Sequence, residues 1–220
     1  MRTLPVTLPS ATLLGTEIKP VTVAKDLGVY IDSHLNYNEH IIKTVFDCIH
    51  KLTRLNRIKH LLDQKTLIFL INAFVFSKLF YCSTVWSNTS KENVGKLLQS
   101  VQNYACRIVG GLRKFDHISG ALKSLKWLKW LKDKLLFNDL VMVRKCLNNF
   151  TPSYLRFQRR SIIHLRNTMQ KNDLELLKCR LKTGQRSFAY SGAKLFNDLP
   201  RNIRETNDRT FLKREFLNIF

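Results

Sequence analysis

The chain has 220 residues, 45% of them hydrophobic, enough for one domain or two small ones around a buried core and too apolar for a disordered tail. Its 37 Lys and Arg face 16 Asp and Glu, a formal net charge of +21, so the expected partners are polyanions, either nucleic acid or an anionic membrane surface. Five single cysteines without a Cys-x-x-Cys pair argue against a disulfide framework or a zinc knuckle and fit an intracellular compartment, nuclear or cytoplasmic.

Met1 to Thr16 has Arg2, hydroxyl residues and no acid, the composition of a mitochondrial presequence, but Pro5 and Pro9 spoil an amphipathic helix there. From Val21 the pattern alternates. Val21, Val23, Leu27, Val29 and Ile31 share one strand face, Lys25 excepted, and Thr22, Ala24, Asp26 and Asp32 share the other. Leu14, Thr16 and Ile18 read as a partner strand, with Lys19-Pro20 as the turn, so a short antiparallel β hairpin is expected within residues 1–33.

Helical signals follow. Asn36 and Glu39 have capping-box spacing, and behind them Ile41, Val45, Cys48, Leu52 and Leu55 form one apolar face, with Lys43, Lys51, Arg54 and Arg57 mainly off it. Asp63 can cap a second helix running to about Phe80. That run is interrupted at Asn72 and followed by Lys78, whereas a membrane span needs about twenty nearly uncharged residues, so a buried helix and no membrane partner are expected. Ser90 can cap a third helix carrying Val94, Leu97, Leu98, Val101 and Ala105, which Gly110-Gly111 would stop. Leu122 to about Leu147 reads as helix again, closed by Asn148-Asn149. Beyond Pro152 the periodicity weakens, and Arg156 to Arg186 carries nine basic residues against Asp173 and Glu175, a surface segment with a possible boundary near Pro152.

In "KSLKWLKWLKDK", Lys123 to Lys134, a continuous helix places Trp127 with Leu128 and Leu131 on the apolar side and Trp130 between Lys123 and Lys126. Trp130 is then either a stacking platform for unpaired bases, with lysines on the phosphates, or a core-edge tryptophan beside snorkelling lysines. His40, Cys48 and His50 lack a fourth metal ligand, and no serine or cysteine has an activated context. Two-metal phosphoryl transfer needs close carboxylates holding cations about 4 Å apart. No Asp-Asp pair occurs, and no active site is expected.

Six segments in order, "KDLGVYID" (Lys25 to Asp32), "SKLFYCSTVW" (Ser77 to Trp86), "LQSVQNYACRIVGGLRKFDHI" (Leu98 to Ile118), "LKWLKW" (Leu125 to Trp130), "TPSYL" (Thr151 to Leu155) and "GQRSFAYSGAKLFNDLP" (Gly184 to Pro200), resemble the carboxyl-terminal part of reverse transcriptases from non-LTR, LINE-type (jockey-like) retrotransposons. The resemblance spans nearly all of Thr12 to Phe220. It implies a mainly α fold: a last palm-like β hairpin (1–33), a helical thumb-like bundle (34–150) and an irregular basic C-terminal region (151–220). It also implies that the aspartates of RNA-directed DNA polymerase lie upstream of the Leu27-Gly28-Val29 block. The whole family enzyme would need Mg, this fragment no cofactor, and its partners would be RNA or an RNA–DNA hybrid and upstream polymerase domains.

Two departures stand out. Phe196 replaces the family's usual Trp, and a buried aromatic role would survive that change. Lys129 stands where the family often has Pro, so the helix is expected to run on through it. A thumb grips its duplex by backbone charge and shape. The expected contacts are Lys51, Arg54 and Arg57 of the first helix, Arg113 and Lys114 of the loop after the third, and Lys123, Lys126, Lys129 and Trp130. Two other readings fit the same residues, a retained nucleic-acid-binding module and a helical protein–protein scaffold.

Overall fold

A computed structural model describes residues 10–88, 91–125, 127, 130–163 and 172–205, with side chains except at 91–94, 130, 202 and 205. The chain is mainly α, 60% helical, with two small antiparallel strand pairs at its amino end. The expected fold class therefore holds, but the pairing of the strands differs from the expected one.

Strands β1 (Ala11–Leu13) and β2 (Thr16–Ile18) pair with each other, and β3 (Val23–Asp26) pairs with β4 (Val29–Asp32). Each hairpin closes over a Leu-Gly loop with both φ angles positive: 52° and 78° at Leu14-Gly15, 44° and 87° at Leu27-Gly28. That is the two-residue turn whose twist matches the strands. The alternation from Val21 to Ile31 thus belongs to two short strands and a turn, and the register splits the expected common face: Val23 lies on one side with Lys25, Tyr30 and Asp32, whereas Val29 and Ile31 lie on the other with Ala24 and Asp26. Leu27, read as a strand-face residue, is 83% exposed, whereas Val29 is buried.

The Asp32 carboxylate accepts backbone N–H bonds from His34 (2.9 Å), Asn36 (3.0 Å) and Tyr37 (2.6 Å), turning the chain into α1 (Asn38–Ile58). Burial opposes its charge, but these bonds outweigh it and hold the carboxyl below the usual range. The expected capping box does not form. Tyr37 is the N-cap in left-handed conformation with no side-chain cap, because Asp32 has already taken the Asn36 N–H and Glu39 pairs with Lys43. The predicted apolar face is correct: Ile41, Val45, Cys48, Leu52 and Leu55 are all buried.

Asp63 caps α2 (Gln64–Ile71) as expected, accepting from the N–H of Lys65 (3.0 Å) and Thr66 (3.2 Å). The run then passes through one π turn (Asn72–Phe76) into α3 (Ser77–Leu79). Side chains capture three successive carbonyls of this turn: Ser77 Oγ donates to Ala73, Lys51 Nζ to Phe74 (2.9 Å) and Cys48 Sγ to Val75 (3.6 Å). Cys82, at φ 49°, turns the chain into α4 (Ser83–Trp86). Helix α5 (Lys91–Gly110) packs along α1 and ends where the glycine pair predicts. Gly111 (φ 64°) donates to Ile108 O and Leu112 to Arg107 O (2.9 Å), a Schellman cap. The expected cap Ser90 lies outside the described residues.

The helix expected from Leu122 to Leu147 is two helices, α6 (Ser119–Ser124) and α7 (Trp130–Leu147). The break survives without a proline because tertiary contacts hold it. Trp127 N–H reaches back to Leu122 O (2.8 Å), and its carbonyl accepts from the buried Gln102 side chain of α5. Its ring, 7% exposed, meets Phe76 edge-on at 5.4 Å. Asn149 (φ 58°) closes α7 with the same Schellman bonds, Asn149 to Cys146 O and Phe150 to Lys145 O.

Among the described residues of 156–186 only Leu174 is buried, in keeping with a surface segment, although α8 (Arg160–Ile163) and α9 (Lys182–Arg186) interrupt it. Helices α10 (Phe188–Asn197) and α11 (Arg201–Glu205) then close on α7. Leu131 of α7 belongs to the core formed with α1, α2 and α5. Phe137, Leu140 and Val143 form a second core with Leu174, Ala193, Phe196, Leu199 and Ile203. The Gly184–Pro200 stretch is thus a clasp. Phe196 is 1% exposed, as its aromatic role requires, and Asn197 bonds both the N–H (2.8 Å) and the carbonyl (2.9 Å) of Leu174.

Candidate nucleic-acid interface

Folding the second hairpin against α1 and α3 creates a cleft of about 510 Å³. Lys25, Gly28 and Tyr30 line it from the hairpin, His40, Lys43 and Asp47 from α1, and Lys78 and Tyr81 from α3 and the turn after it. Tyr81 donates its hydroxyl to Leu27 O (2.9 Å), fastening the hairpin loop over the cleft. The Lys43 ammonium stands 3.9 Å from the Tyr30 ring centroid and that of Lys25 5.4 Å. Both distances are within cation–π range.

Two carboxylates hold the cations in place. Lys43 pairs with Glu39, and Lys78 pairs with Asp47 at 2.7 Å, which with Lys51 nearby keeps the Asp47 carboxyl below its usual range. These pairs are about half-exposed, so each is worth little in stability and an incoming phosphate can compete for the lysine. Beneath them His40 is buried between Tyr30 (6.4 Å) and Trp86 (5.9 Å). Burial first, and Lys78 second, push its pKa down, so the imidazole is neutral at pH 7.

The cleft opens onto one stripe of α1. Lys43, His50, Arg54 and Arg57 recur at intervals of seven, four and three, which places them on one side of a helix. All four are exposed. Phe46, 64% exposed, stands among them with its ring 4.4 Å from that of His50. From Lys43 to Arg57 is about 21 Å along the axis at about 1.5 Å per residue.

Of the expected contacts, Arg54 and Arg57 lie on this stripe. Lys51 lies beside it, with its ammonium engaged by the Phe74 carbonyl. Arg113 and Lys114 are exposed in the turn after α5, which Asp116 shapes by accepting the Arg113 N–H (2.7 Å). Gln64 reaches Val109 O (3.5 Å), so the end of α5 before this turn lies against the start of α2. Lys123 is exposed on α6. Lys126, Lys129 and the side chain of Trp130 lie outside the described residues. Sequence reasoning missed Lys25, Lys78, Tyr30 and Tyr81. "KDLGVYID" and "SKLFYCSTVW" hold all four, but their convergence depends on the fold.

Several of the described acids serve local structure or ion pairs: Asp32 shapes the turn before α1, Asp63 caps α2, Asp173 pairs with Arg204, and Glu175 pairs with Arg160. Among the described residues no group of three or more His, Cys, Asp or Glu is placed to hold a metal ion, and no helix is long and apolar enough to cross a membrane. Fold and site together define a mainly helical, strongly basic protein with a cationic, aromatic-lined groove. No family model, curated protein or solved structure matches the chain.

Proposed function

We propose that this chain is the thumb and post-thumb part of a LINE-type reverse transcriptase, gripping the backbone of RNA or an RNA–DNA hybrid and carrying no polymerase chemistry in its own residues. The observation that supports this reading is the α1 stripe running out of the lysine cleft. At about 21 Å it is long enough to follow several successive phosphates of one strand. Phe46, Tyr30 and Tyr81 offer π faces to unpaired bases where the duplex ends. Backbone contacts of this kind position a duplex without reading its sequence.

The test is fluorescence anisotropy of a labelled RNA–DNA hybrid titrated with the full chain between 50 and 200 mM salt. Replacing Lys43, Arg54 and Arg57 with Gln lowers the slope of log affinity against log salt by about 2 to 3, at about 0.9 per phosphate. Replacing the exposed Lys194 of α10 leaves it unchanged. An unchanged slope in the triple variant, or no binding by the wild type, overturns the proposal. Primer extension with Mg gives no product from the chain alone, and synthesis would overturn the second half of the reading.

A further inference from the structure

Asp139, on α7, is 3% exposed and sits where three elements meet. Its Oδ2 accepts from Ser87 Oγ and Asn88 Nδ2 beyond α4, both at 3.4 Å. The Asn88 amide also donates to Ser191 Oγ of α10 (3.0 Å). One residue back, Asn138 donates to Ser83 Oγ (3.1 Å), so α7 is tied to both ends of α4. Asp139 Oδ1 is sealed from solvent and has no hydrogen-bond partner among the described residues.

Among the described residues no cation compensates this carboxylate. Lys132, two turns earlier on α7, is the one other charged side chain among the described residues lining the adjoining cavity of about 480 Å³, and it is exposed. From α5 that cavity receives Gly95, Leu98 and Gln99, from the α4 exit Ser87 and Asn88, none of them charged. From α10 the knot receives the Ser191 hydroxyl, while Lys194 is exposed. An ionised carboxylate enclosed in this way, with two long hydrogen bonds and one bare oxygen, is costly. A protonated one is not, because its O–H can donate to Ser87 Oγ.

We propose that Asp139 is a proton-operated latch: with a proton from solvent on the carboxyl, the α4–α7–α10 knot closes and holds the C-terminal clasp on the helical bundle, and without it α10 loosens. Burial pushes this carboxyl from 3.8 up to about 7, more than the Asn88 and Ser87 hydrogen bonds pull it down. The folded value is above the open one, so the closed state binds more protons. Its stabilisation is complete below about pH 4, declines as pH rises toward 7 and is gone above that.

The test is hydrogen exchange of the intact chain from pH 5 to 8.5, with rates divided by their intrinsic pH dependence. Protection across 188–197 falls about tenfold per pH unit from 5 to about 6.5 in the wild type, flattens above 7, and is constant in Asp139→Asn. A flat wild-type profile, or the wild-type slope persisting in Asp139→Asn, overturns the latch. Should that variant not fold, the wild-type Asp139 carboxyl is titrated by carbon NMR. Its midpoint must coincide with the pH at which α10 protection flattens, and a separation of more than one unit overturns the proposal.

Discussion

A methyl group at Gly192 is the sharpest available probe of the clasp. Alanine there would place its Cβ 2.8 Å from Val143 Cγ2, 3.2 Å from Phe188 and 3.4 Å from Phe157. Carbon atoms prefer about 3.5–4.0 Å. Val143 is fully buried in α7 and cannot step aside cheaply. Helix propensity favours alanine over glycine by about 1 kcal/mol, while overpacking costs about 1–3 kcal/mol. Gly192→Ala is therefore expected to lose about 1 kcal/mol net. Gly95, in α5, has nothing within 4 Å of the same position, so Gly95→Ala is expected to gain up to about 1 kcal/mol. Urea denaturation of the two variants should separate them by about 2 kcal/mol. Val143→Ala removes the clashing methyl, so the Gly192→Ala/Val143→Ala double variant should be more stable than the sum of its parts by about 1 kcal/mol. A Gly192→Ala chain as stable as Gly95→Ala, or additive with Val143→Ala, refutes the close approach of α10 to α7.

Three further outcomes follow from contacts already described. Asp63→Ala removes the N-cap of α2 and should cost about 1 kcal/mol by urea denaturation. Lys51→Ala frees the Phe74 carbonyl at a cost of about 1 kcal/mol but should leave the salt slope of hybrid binding unchanged, since that ammonium is already engaged. Asp139→Asn should raise stability at pH 8 by up to about 4 kcal/mol, from about three pKa units at about 1.4 kcal/mol each, with little gain near pH 4. Equal gains at both pH values would mean that no buried proton is involved.

What was legible in the sequence was what local chemistry decides. The α1 face, the Asp63 cap and the stops at Gly111 and Asn149 each depend on residues within about two turns, so spacing reveals them. The hairpin loop at Leu27-Gly28 stayed hidden because the apolar residues go on alternating through it in the sequence, although the turn puts Val23 and Val29 on opposite faces of the hairpin. The break before α7 was invisible because it depends on Gln102, 25 positions away, taking the Trp127 carbonyl. Half of the candidate site was legible for the same reason. Arg54 and Arg57 follow from helical spacing, whereas Lys25, Lys43 and Lys78 converge from three segments that share no motif.

The π turn between α2 and α3 has a consequence for that convergence. Holding one more residue than an ordinary helical turn, it rotates everything after it by about 100° relative to an uninterrupted helix. The rotation aims Lys78 at Asp47 and Tyr81 at the hairpin loop. Deleting a single residue such as Ala73 would straighten the helix and keep both side chains aimed at the cleft, whereas a regular helix holding all its residues would swing them out by about 100°. One inserted position therefore sets the aim of a cation and an aromatic that the linear spacing of charges does not reveal.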